Sequence, residues 1–203
     1  MSKLNAINAE KESKERHDDV KECIQLVRLL KACGESKDLM KGSRIHVDIV
    51  NKGLLETIPH VGGILVSMYA KCGALDKSRE VLTGLNLRNV ATWNALISGY
   101  VKQKQGKEAL NCFECMRSEG ISPNSITFVC ILKACGSIRD VVKGDQIYDE
   151  IVEKGLLGKD IILGNALVDM YAKCGELKKA EKMLEKLVIR NVVSWNTIIT
   201  GYT

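Results

Sequence analysis

The sequence predicts an all-α protein, an α-solenoid of helix–turn–helix repeats that form a superhelix. Residues 23–101 recur at 125–203, 102 positions later, and 38 of the 79 paired positions are identical. Apolar residues recur at helical spacing and glycines interrupt them. Only 2 prolines and 4% aromatic residues are present, which fits helices better than strands. Because one solenoid repeat has about 20–50 residues, the long period must contain several repeats.

The N-terminal segment, residues 1–22, is polar and of mixed charge, and it predicts a solvated tail. The repeats that follow, 23–58 and 59–89, are defined by their better marked counterparts 102 positions downstream. We expect each to be one helix pair that buries its apolar face against its neighbours.

The repeat 90–124 is the clearest helix pair. Its first helix has an apolar face, Gly106 lies in the expected break, and Gly120 with Pro123 ends the second helix. Glycine just after a helix and proline soon afterwards are stop signals. The apolar positions of the two helices are Trp93, Leu96, Ile97 and Tyr100, then Ala109, Leu110, Phe113 and Met116.

Two further repeats, 125–160 and 161–191, complete the period. The first has apolar positions up to Ala134, a break at Gly136, and a second stretch from Val141 to Val152 that ends at Gly155. The second repeat turns at Gly175. Repeat lengths of 35, 36 and 31 residues reproduce the period. Residues 192–203 then form a lone first helix, so we expect the array to be partial.

Composition excludes several classes of site. The 8 cysteines mostly recur with the repeat beside apolar residues, which is typical of buried thiols. Cys112 and Cys115 form a C-x-x-C without a second pair or a nearby histidine, so we expect no zinc site. We also expect no cofactor, no membrane span and no small-molecule substrate. The net charge of +5 permits a polyanionic partner without requiring one.

The segments VATWNALISGYVK (90–102), ITFVCILKACG (126–136), LGNALVDMYAKCG (163–175) and RNVVSWN (190–196) carry a family resemblance. With the alternating repeat lengths, they resemble the pentatricopeptide repeat family in its plant-type form, in which P, L and S motifs alternate. The order is L 23–58, S 59–89, P 90–124, L 125–160, S 161–191 and partial P 192–203. Tetratricopeptide helix pairs are the nearest alternative, but they do not predict alternating lengths.

The resemblance implies binding of single-stranded RNA, about one base per repeat. It assigns base reading to the fifth and the last residue of each repeat, and an Asn–Asn pair implies a preference for pyrimidines. The base-reading candidates are Asn94 with Asn124, Asn165 with Asn191, Asn196, Asn89 opposite Gly63, and Asp160 opposite Val129. The second residue of a repeat is expected to pack on base faces, which gives His60, Ala91, Ile162 and Val193. Asparagine near a helix N-terminus can instead be a cap, and that alternative stays open.

Within the P-L-S subfamily, the implied role is recognition of sites for C-to-U editing, or RNA processing, in mitochondria or chloroplasts. A zinc deaminase needs H-x-E followed by P-C-x-x-C. None of the 3 histidines begins H-x-E, so we expect no enzyme activity and no E or DYW extension in this chain. A deaminase or editing partner would act in trans. No transit peptide is evident in residues 1–22. The alternative function is a protein-binding helical scaffold of the tetratricopeptide type.

Overall fold

The computed structural model describes residues 24–57, 59–157, 160–187, 195–196 and 199. Every regular element among them is a helix, so the all-α prediction is confirmed. The predicted tail and most of the partial repeat lie outside these residues. The helices are α1 (residues 24–36), α2 (Leu39–Asn51), α3 (Leu54–Thr57), α4 (Pro59–Lys71), α5 (Leu75–Gly84), α6 (Val90–Lys102), α7 (Gly106–Ser118), α8 (Ser125–Ile138), α9 (Val141–Glu153), α10 (Ile161–Lys173) and α11 (Leu177–Lys186).

The helices form two compact bodies that divide between Leu87 and Arg88. In the C-terminal body, α6 packs on α8 and α8 packs on α10, while α7, α9 and α11 each pack on the helix that precedes them. This stacking of first helices, flanked by second helices, is the arrangement of a helical solenoid. In the N-terminal body, α4 packs against α2, α3 and α5. The repeat boundaries themselves stay a prediction.

Each body has its own apolar core. In the N-terminal body, Leu30 of α1 is buried with Ile49, Leu65 and Tyr69. In the C-terminal body, the apolar faces of the first helices supply fully buried residues such as Leu96, Ile97, Phe128, Ile131 and Leu167. Full burial of one such side chain contributes about 1.5–3 kcal/mol. These buried residues occupy the periodic apolar positions that the sequence pattern predicted.

The turns partly follow the expected glycines. Gly120, Gly155 and Gly175 have positive φ angles and lie just past helix ends, as expected. Gly106 and Gly136 are different, and placing the breaks on them was wrong. Gly106 begins α7 and Gly136 lies inside α8. The left-handed residues of those turns are Lys104 (φ 60°) and Arg139 (φ 56°).

Close helix packing explains the glycine at position 106, whereas Gly136 makes nearly ordinary contact with α10. A Cβ atom on Gly106 would lie 2.7 Å from Ile138 Cγ2 and 2.7 Å from Ser137 Oγ, both on α8. A Cβ atom on Gly136 would lie 3.4 Å from the Met170 Cα. Val152 also departs from the sequence prediction, because it is exposed beside the buried Ile151.

The two copies of the period differ where the second helix of one repeat faces the next repeat. In the N-terminal body, His46 Nδ1 lies 2.9 Å from the Tyr69 hydroxyl, and burial lowers the pKa of His46. The counterpart of His46 is Tyr148. In the C-terminal body, the Tyr171 hydroxyl and the Lys179 ammonium each donate to Asp145 at 2.8 Å. Although burial acts to raise the pKa of Asp145, these hydrogen bonds hold it below its ordinary value.

Candidate nucleic-acid interface

The joint between α7 and α8 brings together Asn94 and Asn124, the fifth and last residues of the repeat 90–124. The Asn94 Nδ2 donates to the Asn124 Oδ1 at 3.1 Å. Asn124 is the N-cap of α8, and its Oδ1 also accepts from the Thr127 N–H at 3.1 Å. The two candidate amides therefore meet, and one of them also caps a helix.

Thr127 completes this polar cluster. Its hydroxyl donates to the Asn94 Oδ1 at 2.7 Å and accepts from the Asn124 N–H at 3.2 Å. The same hydroxyl oxygen lies 3.1 Å from the Asn124 Oδ1. Thr127 is fully buried and Asn94 is only 7% exposed, whereas Asn124 is exposed. Since a buried amide without partners is costly, the Asn94 side chain is held in one orientation.

A donor count shows what the cluster can offer to a base. The two lone pairs of the Asn124 Oδ1 are used by the Asn94 amide and the Thr127 N–H. The Asn124 Nδ2 keeps its two hydrogens for the exposed side of the joint. The cluster can thus donate to an acceptor on a base edge while the helix cap stays intact.

The joint before α6 has a similar capping box, but the threonine hydroxyl there donates to a different acceptor. Asn89 caps α6, and its Oδ1 accepts from the Ala91 and Thr92 N–H groups at 3.0 Å each. The Thr92 hydroxyl donates to the backbone carbonyl of Asn89 at 2.7 Å, not to a side-chain amide. Gly63, the fifth residue of the repeat 59–89, has no side chain that could read a base.

The joint before α10 has an acidic cap. The Asp160 Oδ1 accepts from the Ile162 N–H at 2.8 Å and from the Leu163 N–H at 3.3 Å. Asn165 is half-buried on α10, and Asn196 is helical and exposed. Asn191, the predicted partner of Asn165, lies outside the described residues. That second Asn–Asn pair stays a prediction.

The predicted base-packing residues lie on exposed first turns. His60 and Ala91 are exposed, and Ile162 is 63% exposed. Val193 lies outside the described residues. Ile126, the second residue of the repeat 125–160, was not among the candidates, yet it is 61% exposed at the same repeat position. Applying the second-position rule to every repeat would have found it.

Thr92 and Thr127 were also absent from the candidate residues. Their signal in the sequence is the pattern Asn-x-x-Thr, which occurs at Asn89 and at Asn124. This is the spacing of a capping box, and both boxes are formed. The capping alternative is therefore correct for Asn89 and Asn124, and Asp160 is a helix cap as well. Base reading by the same residues stays a prediction.

Basic side chains near the first helices differ in their surroundings. Lys102, which ends α6, and Lys133 on α8 are exposed. Lys71 forms an ion pair with Glu35, and Lys173 forms one with Asp169 at 2.7 Å. Lys102 and Lys133 are thus the better placed of these lysines to follow a phosphate backbone.

Other kinds of site find little support in the described part of the chain. No three histidine, cysteine, aspartate or glutamate side chains there are grouped so that they could hold a metal ion. Cys33 and Cys135 are buried as expected, and burial raises the pKa of Cys135 to about 12. None of the described helices has both the length and the apolar character needed to cross a bilayer.

Comparison with solved structures supports the fold. The pentatricopeptide repeat protein PPR10 from maize matches with a TM-score of 0.62 at 21% identity, over 86% of this chain and 26% of that chain. PPR10 in complex with an 18-nt psaJ RNA element matches with a TM-score of 0.60 at 18% identity, over 87% of this chain and 32% of that one. Nuclear proteinaceous RNase P 2 from Arabidopsis thaliana matches with a TM-score of 0.66 at 17% identity, over 88% and 41%.

Sequence comparison points to the same family. A PPR repeat family model matches residues 88–137, and a PPR repeat model matches residues 126–156 and 165–192. A chloroplastic pentatricopeptide repeat-containing protein of Arabidopsis thaliana is 38% identical over 85% of this chain and 28% of its own length. A mitochondrial one is 37% identical over 86% of this chain and 17% of its own length. The chain thus spans less than a third of these relatives, and it belongs to the pentatricopeptide repeat family.

Proposed function

We propose that the chain binds single-stranded RNA with sequence selectivity and that Asn94 with Asn124 reads one base. The observation that carries the proposal is the meeting of these two amides, 3.1 Å apart, at one joint. The exposed Asn124 amide can donate to a base edge, and the exposed Ile126 and Ile162 offer apolar surfaces for base faces. PPR10, a structural neighbour, is known in complex with an RNA element.

We further propose that the repeats alternate as P, L and S motifs and that the chain serves site recognition in organelle RNA editing or processing. The repeat lengths of 35, 36 and 31 residues support the alternation. Relatives from chloroplasts and mitochondria support an organelle. Any chemical step on the RNA would then be performed by a partner, such as a deaminase supplied in trans.

The proposal is tested by fluorescence anisotropy with short RNAs that differ at a single base. The wild type should prefer a pyrimidine at one position. Asn124→Asp retains the capping oxygen but replaces the exposed NH₂ by an acceptor. It should therefore favour uracil, whose N3 carries a hydrogen, over cytosine, whose N3 accepts.

The control variant is Asn111→Ala, which removes an exposed amide on α7. It should leave both affinity and base preference unchanged. Equal binding of all RNAs by the wild type would contradict selective reading. A preference that survives Asn124→Asp would contradict the assignment of Asn124.

A second candidate function, a protein-binding scaffold, is favoured by one observation. Met40, Val47 and Val50 of α2 are large apolar side chains that stay exposed. The counterparts of Met40 and Val50 on α9, Val142 and Val152, are exposed too. Absence of RNA binding at low salt would favour this function over RNA recognition.

A further inference from the structure

We propose that Thr127 is a positioning residue for base selectivity: its hydroxyl fixes the orientation of the Asn94 amide and thereby the reading of a base by the preceding repeat. The inference rests on the proposed RNA-binding function. Thr127 is the third residue of the repeat 125–160, so it would act across a repeat boundary.

The geometry leaves the Asn94 amide one favourable orientation. The Thr127 hydroxyl has a single hydrogen, and its shortest contact is with the Asn94 Oδ1 at 2.7 Å. The Asn94 Nδ2 then faces the Asn124 Oδ1 at 3.1 Å. Turning the amide over would place its NH₂ group against the hydroxyl and its oxygen against another oxygen.

The orientation of Asn94 decides how Asn124 meets a base. The Asn124 Oδ1 accepts both from the Asn94 Nδ2 and from the Thr127 N–H, so the oxygen of Asn124 is turned toward the cap and its NH₂ group away from the cap. If Asn94 turned over, its oxygen would face the Asn124 Oδ1 that the cap holds in place, and repulsion between the two oxygens would displace the Asn124 amide from the position at which it meets a base. Base preference would then weaken.

Thr92 provides an internal control because it forms the same capping box with Asn89. Its hydroxyl donates to the Asn89 carbonyl at 2.7 Å instead of to a fifth-position amide. Thr92→Val and Thr127→Val therefore remove equivalent capping hydrogen bonds at two helix starts. Only Thr127→Val also releases Asn94.

The experiment selects RNAs with a randomised central stretch on the full 203-residue chain and sequences the bound fraction. The position whose preference disappears in Asn94→Ala identifies the base read at this joint. Thr127→Val should reduce the preference at that same position by about fivefold, the value of one net hydrogen bond. Thr127→Ser, which keeps the hydroxyl, should retain it, and so should Thr92→Val.

Thermal unfolding of the variants separates positioning from stability. Both valine variants should stay folded at the temperature of the selection, and Thr127→Val should be the less stable of the two because the buried Asn94 Oδ1 loses its donor. Only Thr127→Val should lose the base preference. Unchanged preference in Thr127→Val, or equal loss in Thr92→Val, would overturn the positioning role while RNA reading stands. A wild type that shows no preference at any position would overturn both proposals.

Discussion

Single side chains in this protein cap helices, and under the proposed function the same side chains would also meet a base. Asn124 caps α8 through its oxygen, and the residue is exposed. Asn94 is buried, and its side-chain amide hydrogen-bonds to Asn124, a candidate base-reading residue, and to Thr127. A capped helix start and a base-reading joint are thus compatible uses of the same amides.

His46 provides a residue-scale prediction on pH. Burial lowers its pKa below the ordinary value of about 6.5, so the folded state binds fewer protons than the unfolded state just below that pH. The free energy of unfolding is therefore greatest above pH 6.5 and falls as the pH falls through the folded pKa. We expect the melting temperature of the wild type to drop between pH 7.5 and about pH 5.5.

The control for His46 comes from the other copy of the period. His46→Tyr introduces the residue that Tyr148 occupies there and removes the titrating group. This variant should lose less melting temperature over the same interval, measured by circular dichroism. Identical pH profiles for the wild type and the variant would contradict the role of His46.

At the scale of elements, the contacts between helices depend on glycines that allow close approach as well as on side chains that pack. Gly106 begins α7 directly against α8, and a Cβ atom there would lie 3.0 Å from the Ala134 carbonyl oxygen. Backbone atoms of a packed helix cannot move aside as a flexible side chain can. The α7–α8 contact therefore requires glycine at its start.

Gly106→Ala should destabilise the protein by about 1–3 kcal/mol, the usual cost of overpacking. The gain in helix propensity, about 1 kcal/mol at most, would offset only part of it. Gly84→Ala is the matched control, because a Cβ atom at Gly84 meets nothing within 4 Å. Urea unfolding of both variants checks the expectation, and a stabilising Gly106→Ala would refute it.

The sequence could predict the helices better than the joints between them. Apolar periodicity located the buried faces of α6 and α8, since that pattern is local. It misjudged Gly106 and Gly136, because a glycine that ends a helix and one that admits a neighbour look alike in sequence. Thr127 escaped notice because its partner Asn94 lies 33 positions away. Contacts at that separation become visible only when the helices are stacked.

At the scale of the whole molecule, the exposed positive charges and the proposed base-reading amides are on different residues. The net charge of +5 is modest, and several lysines are tied to carboxylates, as Lys173 is to Asp169. Lys102 and Lys133 are exposed on stacked first helices. Phosphate contacts give affinity without sequence information, whereas contacts of side-chain amides with base edges give sequence selectivity.

The double variant Lys102→Ala with Lys133→Ala should bind all RNAs more weakly, and its affinity should fall by the same factor for each RNA. The slope of log affinity against log salt should flatten by about 0.7 for each lysine that contacts a phosphate. Anisotropy titrations at several salt concentrations measure both quantities. Lys107→Ala, an exposed lysine on α7, should leave the slope unchanged. A change in base preference without a change in slope would contradict this separation.

The hydroxyl of Thr127 has a consequence for protein engineering. A cassette cut at the repeat boundary, residues 90–124, would carry Asn94 and Asn124 into a new array without the group that orients them. The smallest portable specificity cassette should instead extend through Thr127. Chimeras assembled from cassettes with that overlap should keep their base preference. In chimeras joined after Asn124, the preference should depend on whether the third residue of the next repeat has a hydroxyl group that can orient Asn94.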